Sequence, residues 1–233
     1  MNLDDYPKVV PIPILNVKIF LVKSQRGCTL IDTGIPFHER RIQGILQSLD
    51  MKLTDIQTII LTHGHLDHIG CLSYIKSRSG AAVICHRSIQ TVLESGGYEK
   101  AVPRVFGWTI LNPILSALLR NRLNPVRPDQ LVDESLDLKE FGLNGMVLHT
   151  PGHSPGSCSI FLDHGICLLG DLLRESSPGV YDTGLFFHDR DQILTSLKMI
   201  AALKPKTIYL SHGSTMTGGD LDKFIQVVNH QDS

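Results

Sequence analysis

The sequence predicts an α/β protein made of two similar halves, each a sheet with helices packed against it. Short runs of β-branched and apolar residues alternate with segments whose apolar residues recur at helical spacing, and this alternation occurs on both sides of residues 88–128. The chain has 233 residues, of which 42% are hydrophobic and 19% charged, so it can bury a large core. We therefore expect a single domain over residues 1–233.

The first half is predicted to contain a strand hairpin followed by alternating helices and strands. The hairpin reads as two short β-branched runs joined by a turn, and it ends at Asp32. A later apolar run ends directly before a dense group of polar residues that begins at Thr62. In chain order, the predicted elements are strands over 17–22 and 28–31, a helix over 42–49, a strand over 58–61, a helix over 68–79 and a strand over 82–85.

The second half repeats this pattern after an irregular segment. Residues 88–128 contain several glycines and prolines that flank one apolar helical stretch, and we interpret them as a helical insertion. Such an insertion can cap a pocket as a lid, or pack onto the core or a partner subunit. Beyond it, the predicted elements are strands over 146–149, 159–162 and 166–169, a helix over 192–203, a strand over 207–210 and a helix over 221–228.

Four potential metal ligands lie within six residues, directly after a predicted strand: His63, His65, Asp67 and His68. In an extended chain, residues two apart point the same way, so His63 and His65 can share one metal ion. Asp67 and His68, at the following turn, can reach a second ion. We expect Gly64 to keep this crowded turn permissive.

Three further candidate ligands, His153, Asp171 and His212, occur where predicted strands of the second half end. In layered α/β folds, sites gather where loops leave one edge of the sheets, because rigid strands position the residues that the loops expose. All seven residues can therefore converge. Imidazole and carboxylate ligands without thiolate indicate zinc, with iron or manganese as alternatives, and leave room for water as catalytic sites require.

At these residues the chain resembles the metallo-β-lactamase superfamily, whose H-x-H-x-D-H motif is followed by separated His, Asp and His residues. The resemblance extends from Asp32 to His212 and implies a four-layer αβ/βα sandwich, the metallo-β-lactamase fold, with the helical insertion added to it. It also implies that Asp32 orients a ligand histidine. The resemblance assigns one ion to His63, His65 and His153, a second ion to Asp67, His68 and His212, and the bridging position to Asp171.

The chain can be compared at particular residues with three groups inside this superfamily. Glyoxalase II-like thioesterases resemble it in all seven ligands, but they have an additional C-terminal helical region for glutathione, and only about one helix can follow His212 here. β-Lactamases usually lack a bridging carboxylate, so Asp171 argues against antibiotic hydrolysis. Quorum-signal lactonases commonly have a tyrosine three residues after the bridging aspartate, where this chain has Arg174.

The expected function is that of a dinuclear zinc-dependent hydrolase, in which a metal-bridging hydroxide attacks a small carbonyl substrate such as a thioester, ester or lactone. Asp67 is the expected proton acceptor. We interpret Ser154 and Ser157 as turn and strand residues, which disfavours covalent catalysis. A phosphodiesterase is one alternative, because paired metals also clamp phosphates. An iron-dependent, persulfide dioxygenase-like oxidoreductase is another.

Candidate substrate contacts lie near the metal ligands and in the insertion. They are Arg174, His188 in the loop after the bridging aspartate, and Trp108 in the apolar stretch of the insertion. We expect a small-molecule substrate, because a net charge of −1 without a basic block provides no field that gathers nucleic acid or an anionic membrane. A homodimer is compatible with the insertion.

The composition also predicts a location in the cell. The first 15 residues lack the basic start and the unbroken apolar run of a signal peptide. The five cysteines form no C-x-x-C pair, which fits reduced, buried thiols better than a disulfide framework. We therefore expect a cytoplasmic protein.

Overall fold

Two six-stranded sheets pack face to face, with helices on both outer faces, in the computed structural model of the chain. The structure describes residues 8–24, 27–102 and 123–231. This arrangement confirms the predicted α/β sandwich with two sheet-plus-helix halves. Trp108 and the central part of the predicted insertion lie outside the described residues.

The first sheet has the order β1-β2-β3-β4-β5-β6, antiparallel from β1 to β3 and parallel from β3 to β6. Its first strand was not predicted, because Pro11 and Pro13 interrupt the apolar pattern. Both prolines lie on an edge strand, where a missing N–H is tolerated. The strands are β1 Val9–Ile14, β2 Val17–Ser24, β3 Gly27–Ile31, β4 Ile56–Ile60, β5 Ala82–His86 and β6 Gln130–Val132.

The second sheet has the order β14-β13-β10-β9-β8-β7, and all neighbours are antiparallel except β10 and β13. Strands β11 and β12 form a separate two-stranded hairpin, which was not predicted. The strands are β7 Ser135–Asp137, β8 Gly145–His149, β9 Cys158–Leu162, β10 Ile166–Leu168, β11 Arg174–Ser177, β12 Val180–Asp182, β13 Thr207–Tyr209 and β14 Met216–Thr217.

The predicted helix over 68–79 is divided into two helices around Gly70. The Gly70 N–H donates to the Gly34 carbonyl at 2.8 Å, and a Cβ at Gly70 would lie only 2.3 Å from Pro36. The chain turns at this close approach, so the first helix is short. The helices are α1 Glu39–Ser48, α2 Leu66–Ile69, α3 Leu72–Ser79, α4 Gln90–Glu94, α5 Arg190–Ala202 and α6 Gly218–Gln231, with 3₁₀ turns at Leu53–Asp55, Arg87–Ile89, Lys139–Phe141 and Asp163–Gly165.

Three apolar layers hold the sandwich together, because side chains alternate across each strand. In β4, Ile59 packs toward the outer helices, while Ile60 packs between the sheets. In β10, Leu168 packs between the sheets, while Cys167 packs against the helices of the second half. Both sheets are thus buried on both faces, which explains why their strands read as nearly continuous apolar runs.

The ends of the predicted insertion belong to the core. Ile89, Leu93 and Val126 are buried in the apolar layer between the first sheet and its helices. Both described ends of residues 88–128 therefore contribute side chains to the core. None of the helices in the described ranges has the length and apolar character needed to cross a membrane.

Candidate metal centre

The topology brings the predicted ligands to one edge of the sandwich. In the first sheet, β3 and β4 run parallel, so Asp32 and the segment starting at Thr62 leave at the same edge. In the second sheet, β8, β10 and β13 share one direction, since β8 and β10 each run antiparallel to β9 and β10 is parallel to β13. The carboxyl ends of these strands therefore meet, and they are followed by His153, Asp171 and His212.

The first group of ligands, called the three-histidine group, consists of His63, His65 and His153. Nδ1 of His65 lies 3.0 Å from Nε2 of His63 and 3.0 Å from Nε2 of His153. Burial lowers the pKa of His63 well below its usual range and the pKa values of His65 and His153 to about 4. The three imidazoles are therefore neutral at pH 7, which is the form that binds a metal ion.

The second group, called the mixed group, consists of Asp67, His68 and His212. Oδ2 of Asp67 lies 3.8 Å from Nε2 of His68 and 3.5 Å from Nε2 of His212. Burial opposes ionisation of Asp67, but His68 and His212 outweigh it and lower its pKa to about 2. Conversely, neighbouring carboxylates outweigh burial and raise the pKa of His68 and His212, the latter to about 10. Without a metal ion, the positive charges of His68 and His212 balance the negative charges of the carboxylates. A bound cation would take over this role.

Asp171 lies between the two groups. Its Oδ1 is 3.3 Å from Nε2 of His68, and its Oδ2 is 3.3 Å from Nε2 of His212. The same Oδ2 is 3.6 Å from Nε2 of His153 and 3.9 Å from Nε2 of His63. One carboxylate therefore faces histidines of both groups, which is the placement required of a bridging ligand.

Buried polar atoms in this cluster fit a metal centre. Nε2 of His68 and Oδ1 of Asp171 are buried and make no hydrogen bond of acceptable geometry within the described part of the chain. An unsatisfied buried polar atom is costly unless another partner, such as a metal ion, takes its lone pair. Each of the two ligand groups, and also His63, His68 and Asp171 together, offers ligand atoms within 4.8 Å of one another. The nitrogen and oxygen donor set suits zinc.

Asp32 is hydrogen-bonded to Thr62 and to His68 of the mixed group. Its carboxylate is fully buried and accepts hydrogen bonds from the Thr62 N–H at 2.8 Å and the Thr62 hydroxyl at 2.7 Å. Nδ1 of His68 donates to the same carboxylate at 2.8 Å. In the neutral form of His68, this contact keeps the proton on Nδ1 and leaves the lone pair of Nε2 for a metal ion. The structure thus places Asp32 in contact with His68, one of the candidate metal ligands.

Glu99 is part of the site, and the sequence did not reveal it. Its Oε2 accepts hydrogen bonds from the Gly64 N–H at 2.8 Å and from the Ser154 hydroxyl at 2.9 Å. The expectation for Gly64 needs correction. Its φ is not in the left-handed region, but a Cβ there would lie 2.8 Å from Cγ of Glu99. The glycine is therefore required by the close approach of Glu99 and not by the turn.

A cavity of about 500 Å³ opens onto the two groups. Asp67, Asp171 and Arg174 are among the residues that line it, and the role of Arg174 as a substrate contact stays a prediction. His188 is exposed and is not among the described lining residues; its backbone N–H donates to the carbonyls of Gly152 and His153 in the loop after β8. Sequence reasoning missed several lining residues, because they lie in irregular segments: Asn16, Ile35, Tyr98, Glu99, Leu185 and Phe186.

Residues 152–156 match the G-x-S-x-G pattern of serine hydrolases, which makes Ser154 a formal candidate nucleophile. The structure argues against this role. Ser154 is only 3% exposed, and its hydroxyl donates to Glu99 rather than to a histidine. The segment also lies between two antiparallel strands and not at a strand-to-helix turn. Ser154 is therefore a structural residue, as the sequence interpretation expected, although that interpretation overlooked the motif at residues 152–156.

Comparisons with known proteins agree with this geometry. The family model described as the metallo-beta-lactamase superfamily matches residues 12–212. The chain is 26% identical over 230 residues to the probable metallo-hydrolase YflN of Bacillus subtilis, covering 89% of this chain and 83% of that protein. It is 28% identical over 218 residues to the hydroxyacylglutathione hydrolase GloC of Haemophilus influenzae, covering 91% of this chain and 92% of that protein.

Solved structures show the same fold. A metallo-beta-lactamase family protein of Thermus thermophilus is 23% identical with a TM-score of 0.72, over 97% of this chain and 79% of that one. An archaeal superfamily protein of Sulfolobus tokodaii is 22% identical with a TM-score of 0.65, over 95% of this chain and 86% of that one. Since the family model also covers most of the sequence, the protein belongs to the metallo-beta-lactamase superfamily and is a metal-dependent hydrolase.

Proposed function

We propose that the protein is a dinuclear zinc hydrolase that acts on a small carbonyl substrate, namely a thioester, ester or lactone. The observation that carries this proposal is the position of Asp171. Its two carboxylate oxygens lie 3.3 to 3.9 Å from histidines of both ligand groups. The three-histidine group would hold one ion, the mixed group would hold the other, and Asp171 would join them.

The residues around the cavity have distinct chemical tasks in this proposal. A bound pair of zinc ions lowers the pKa of water toward neutrality and polarises a carbonyl oxygen. Asp67 is anionic at neutral pH, and 36% of its side chain is exposed to the cavity that it lines. We therefore assign Asp67 as the acceptor for the proton of the attacking water.

Substrate selection would depend on the cavity residues that are not candidate metal ligands. Arg174 is the only Lys or Arg among the described residues that line the cavity. Its Nε donates to Oδ1 of Asp182 at 2.8 Å, and the same oxygen accepts from the Gly184 N–H at 2.7 Å. Asp182 thus fixes the guanidinium in place. Leu185 and Phe186 add apolar surface beside it, so the cavity suits a substrate with an apolar part and an anionic group.

The relatives support a thioester among the three carbonyl classes. The matched proteins of Haemophilus influenzae and Aeromonas hydrophila are both hydroxyacylglutathione hydrolases. The former is covered over 92% of its own length, so it has little additional chain in which a separate glutathione-binding region could lie. The sequence argument against a glutathione thioester, which relied on a missing C-terminal region, is therefore weakened.

The five cysteines are buried and unpaired, and burial raises the pKa of the thiols, those of Cys71, Cys85 and Cys167 to about 12. Such thiols are poor nucleophiles and act as packing residues. We propose a cytoplasmic location on this basis. An alkylating reagent added to intact cells should modify none of these thiols. When the protein is then isolated and unfolded, all five thiols should react.

Metal analysis followed by a substrate panel tests the proposed function. The purified protein should contain two equivalents of zinc and should hydrolyse a thioester, an ester or a lactone. A chelator should abolish this activity, and added zinc should restore it. Preferred hydrolysis of a phosphodiester would support the phosphodiesterase instead. A single iron ion with consumption of dioxygen in the presence of a persulfide would replace the hydrolase with an oxidoreductase. Either result would refute the proposal.

A further inference from the structure

We infer that Glu99 is a positioning residue that holds together the two loops carrying the three-histidine group. The inference rests on the proposed function, because it assumes that this group binds zinc. The carboxylate of Glu99 does not bond to the side chains of the ligands themselves. Its Oε2 instead accepts hydrogen bonds from the Gly64 N–H at 2.8 Å and the Ser154 hydroxyl at 2.9 Å, and these residues are the immediate neighbours of the ligands.

The two loops come from different parts of the fold. One follows β4 in the first sheet, and the other follows β8 in the second sheet. Their ligands His65 and His153 are 88 residues apart in sequence but 3.0 Å apart in space. A single carboxylate oxygen that binds both loops therefore fixes the distance between ligands that the chain itself does not connect.

Gly64 is held on both sides by the same residue. Besides the bond from its N–H, its carbonyl accepts a hydrogen bond from the Glu99 N–H at 2.7 Å. Gly64 separates His63 from His65, so the two hydrogen bonds hold the peptide groups on both sides of Gly64 and thereby fix the relative direction of the two ligands. The contact is also tight, because the three atoms nearest to a Cβ at Gly64 would all belong to Glu99, at 2.8, 3.0 and 3.1 Å.

Glu99 also lines the cavity, together with its neighbour Tyr98. The wall of the cavity is therefore joined to the three-histidine group through the same side chain. Residues that orient metal ligands typically change metal affinity about 10- to 100-fold when they are removed. Loss of the Glu99 carboxylate should therefore affect the ion at the three-histidine group much more than the ion at the mixed group.

Zinc affinity tests this inference directly. Titration of the zinc-loaded protein with a chromophoric chelator should show that Glu99→Ala lowers the affinity for one of the two zinc ions about 10- to 100-fold. The affinity for the other ion should change less than about threefold. Glu99→Gln should stay within about fivefold of wild type, because one amide oxygen can still accept both hydrogen bonds. Glu94→Ala is the matched control, since Glu94 is an exposed glutamate of α4 bonded only within its own helix in the described structure.

A second set of variants tests the contact itself. Gly64→Ala should weaken zinc about tenfold in the wild-type background, because the new methyl group displaces Glu99. In the Glu99→Ala background the same substitution should cost less than about threefold, since the three atoms nearest to the new Cβ have been removed. Equal costs in the two backgrounds would contradict the proposed contact.

The outcomes separate this inference from the proposed function. Wild-type zinc affinity in Glu99→Ala, or an equal loss of both ions, would overturn the positioning role and leave the hydrolase intact. Failure of Glu99→Gln to restore binding would also overturn it, because the role depends on hydrogen bonds that glutamine can accept. A wild-type protein that binds no zinc would refute the proposed function and, with it, the role assigned to Glu99.

Discussion

Replacing Asp32 by asparagine should remove the metal ion of the mixed group while keeping the fold. Asp32 has a φ of +61°, a conformation that asparagine adopts readily, so the backbone is not strained by this change. The side chain keeps one oxygen for the Thr62 N–H. However, an amide NH₂ replaces Oδ2, the atom that accepts from Nδ1 of His68 at 2.8 Å.

The consequence follows from the two nitrogens of the His68 ring. Facing an NH₂ donor, Nδ1 must act as the acceptor, so the proton moves to Nε2. Nε2 is the buried nitrogen that faces Asp67 and Asp171, and a protonated nitrogen cannot bind a metal ion. Loss of a group that orients a metal ligand costs about 10- to 100-fold in metal affinity. Zinc bound to the mixed group should weaken by this factor.

The cost to stability in the metal-free protein should be smaller. Asp32→Asn removes the charged oxygen that accepts from both the Thr62 hydroxyl and Nδ1 of His68; since the amide NH₂ can donate to both atoms instead, the net cost is about 2 kcal/mol. For a chain of this size, that corresponds to a decrease in Tm of about 4 to 8 °C. Calorimetry of the metal-free protein and chelator competition of the zinc-loaded protein measure the two effects separately.

Asp129→Asn provides a control for the loss of a charged carboxylate. Asp129 accepts a hydrogen bond from the Val83 N–H at 2.8 Å and pairs with Lys76, but it lies away from the ligands. This variant should keep both zinc ions. If Asp32→Asn also retained both ions at wild-type affinity, the reasoning about the His68 tautomer would be refuted.

Three further predictions follow from the same site. Asp67→Asn should lower turnover at least about 100-fold in metal-replete enzyme, because it removes the proton acceptor; wild-type steady-state turnover at equal metal content would contradict this. Arg174→Gln should lower kcat/KM about 10- to 100-fold for a substrate with a carboxylate and less than about threefold for its carboxamide analogue, since only the former uses the positive charge. Arg87→Gln, which breaks a surface pair outside the cavity, is its control, and equal losses on both substrates would exclude anion recognition. In the metal-free protein, burial lowers the pKa values of His65 and His153 to about 4. The unfolded chain therefore binds protons more readily than the folded protein, so the free energy of unfolding decreases as the pH falls from 6.5 to 4. Asp171 outweighs burial and raises the pKa of His212 to about 10, so its contribution to stability is lost as the pH rises from 6.5 to 10. Denaturant unfolding near pH 5, 6.5 and 9 should therefore show a maximum at the middle value, and a flat profile would contradict these protonation states.

The candidate ligands stand out in the sequence because they lie within a few residues after short apolar strands. Strands with both faces buried are nearly continuous apolar runs, and a histidine or aspartate placed directly after such a run stands out. The parallel directions of β3 with β4 and of β10 with β13 then bring these ends together. Local pattern and topology thus agree at Asp171 and His212, so the structure brings together the residues that the sequence singled out.

The parts that sequence did not predict depend on contacts between distant segments. Glu99 lies in an irregular segment beyond α4, where no periodicity marks a carboxylate that touches two loops. Gly64 and Gly70 were interpreted as a permissive turn and a helix interior, because the approach of Glu99 and Pro36 is visible only in three dimensions. Pro11 similarly hid β1, since only the sheet order shows that the strand lies at an edge.

Anomalous diffraction at the zinc absorption edge from crystals of the zinc-loaded protein tests the central claim most directly. Two peaks are expected, one about 2.0 to 2.2 Å from the nitrogens of the three-histidine group and one at the same distance from the ligand atoms of the mixed group. Asp171 should lie within ligand distance of both. A single peak, or peaks that leave either group without an ion, would contradict the dinuclear centre on which the proposed chemistry depends.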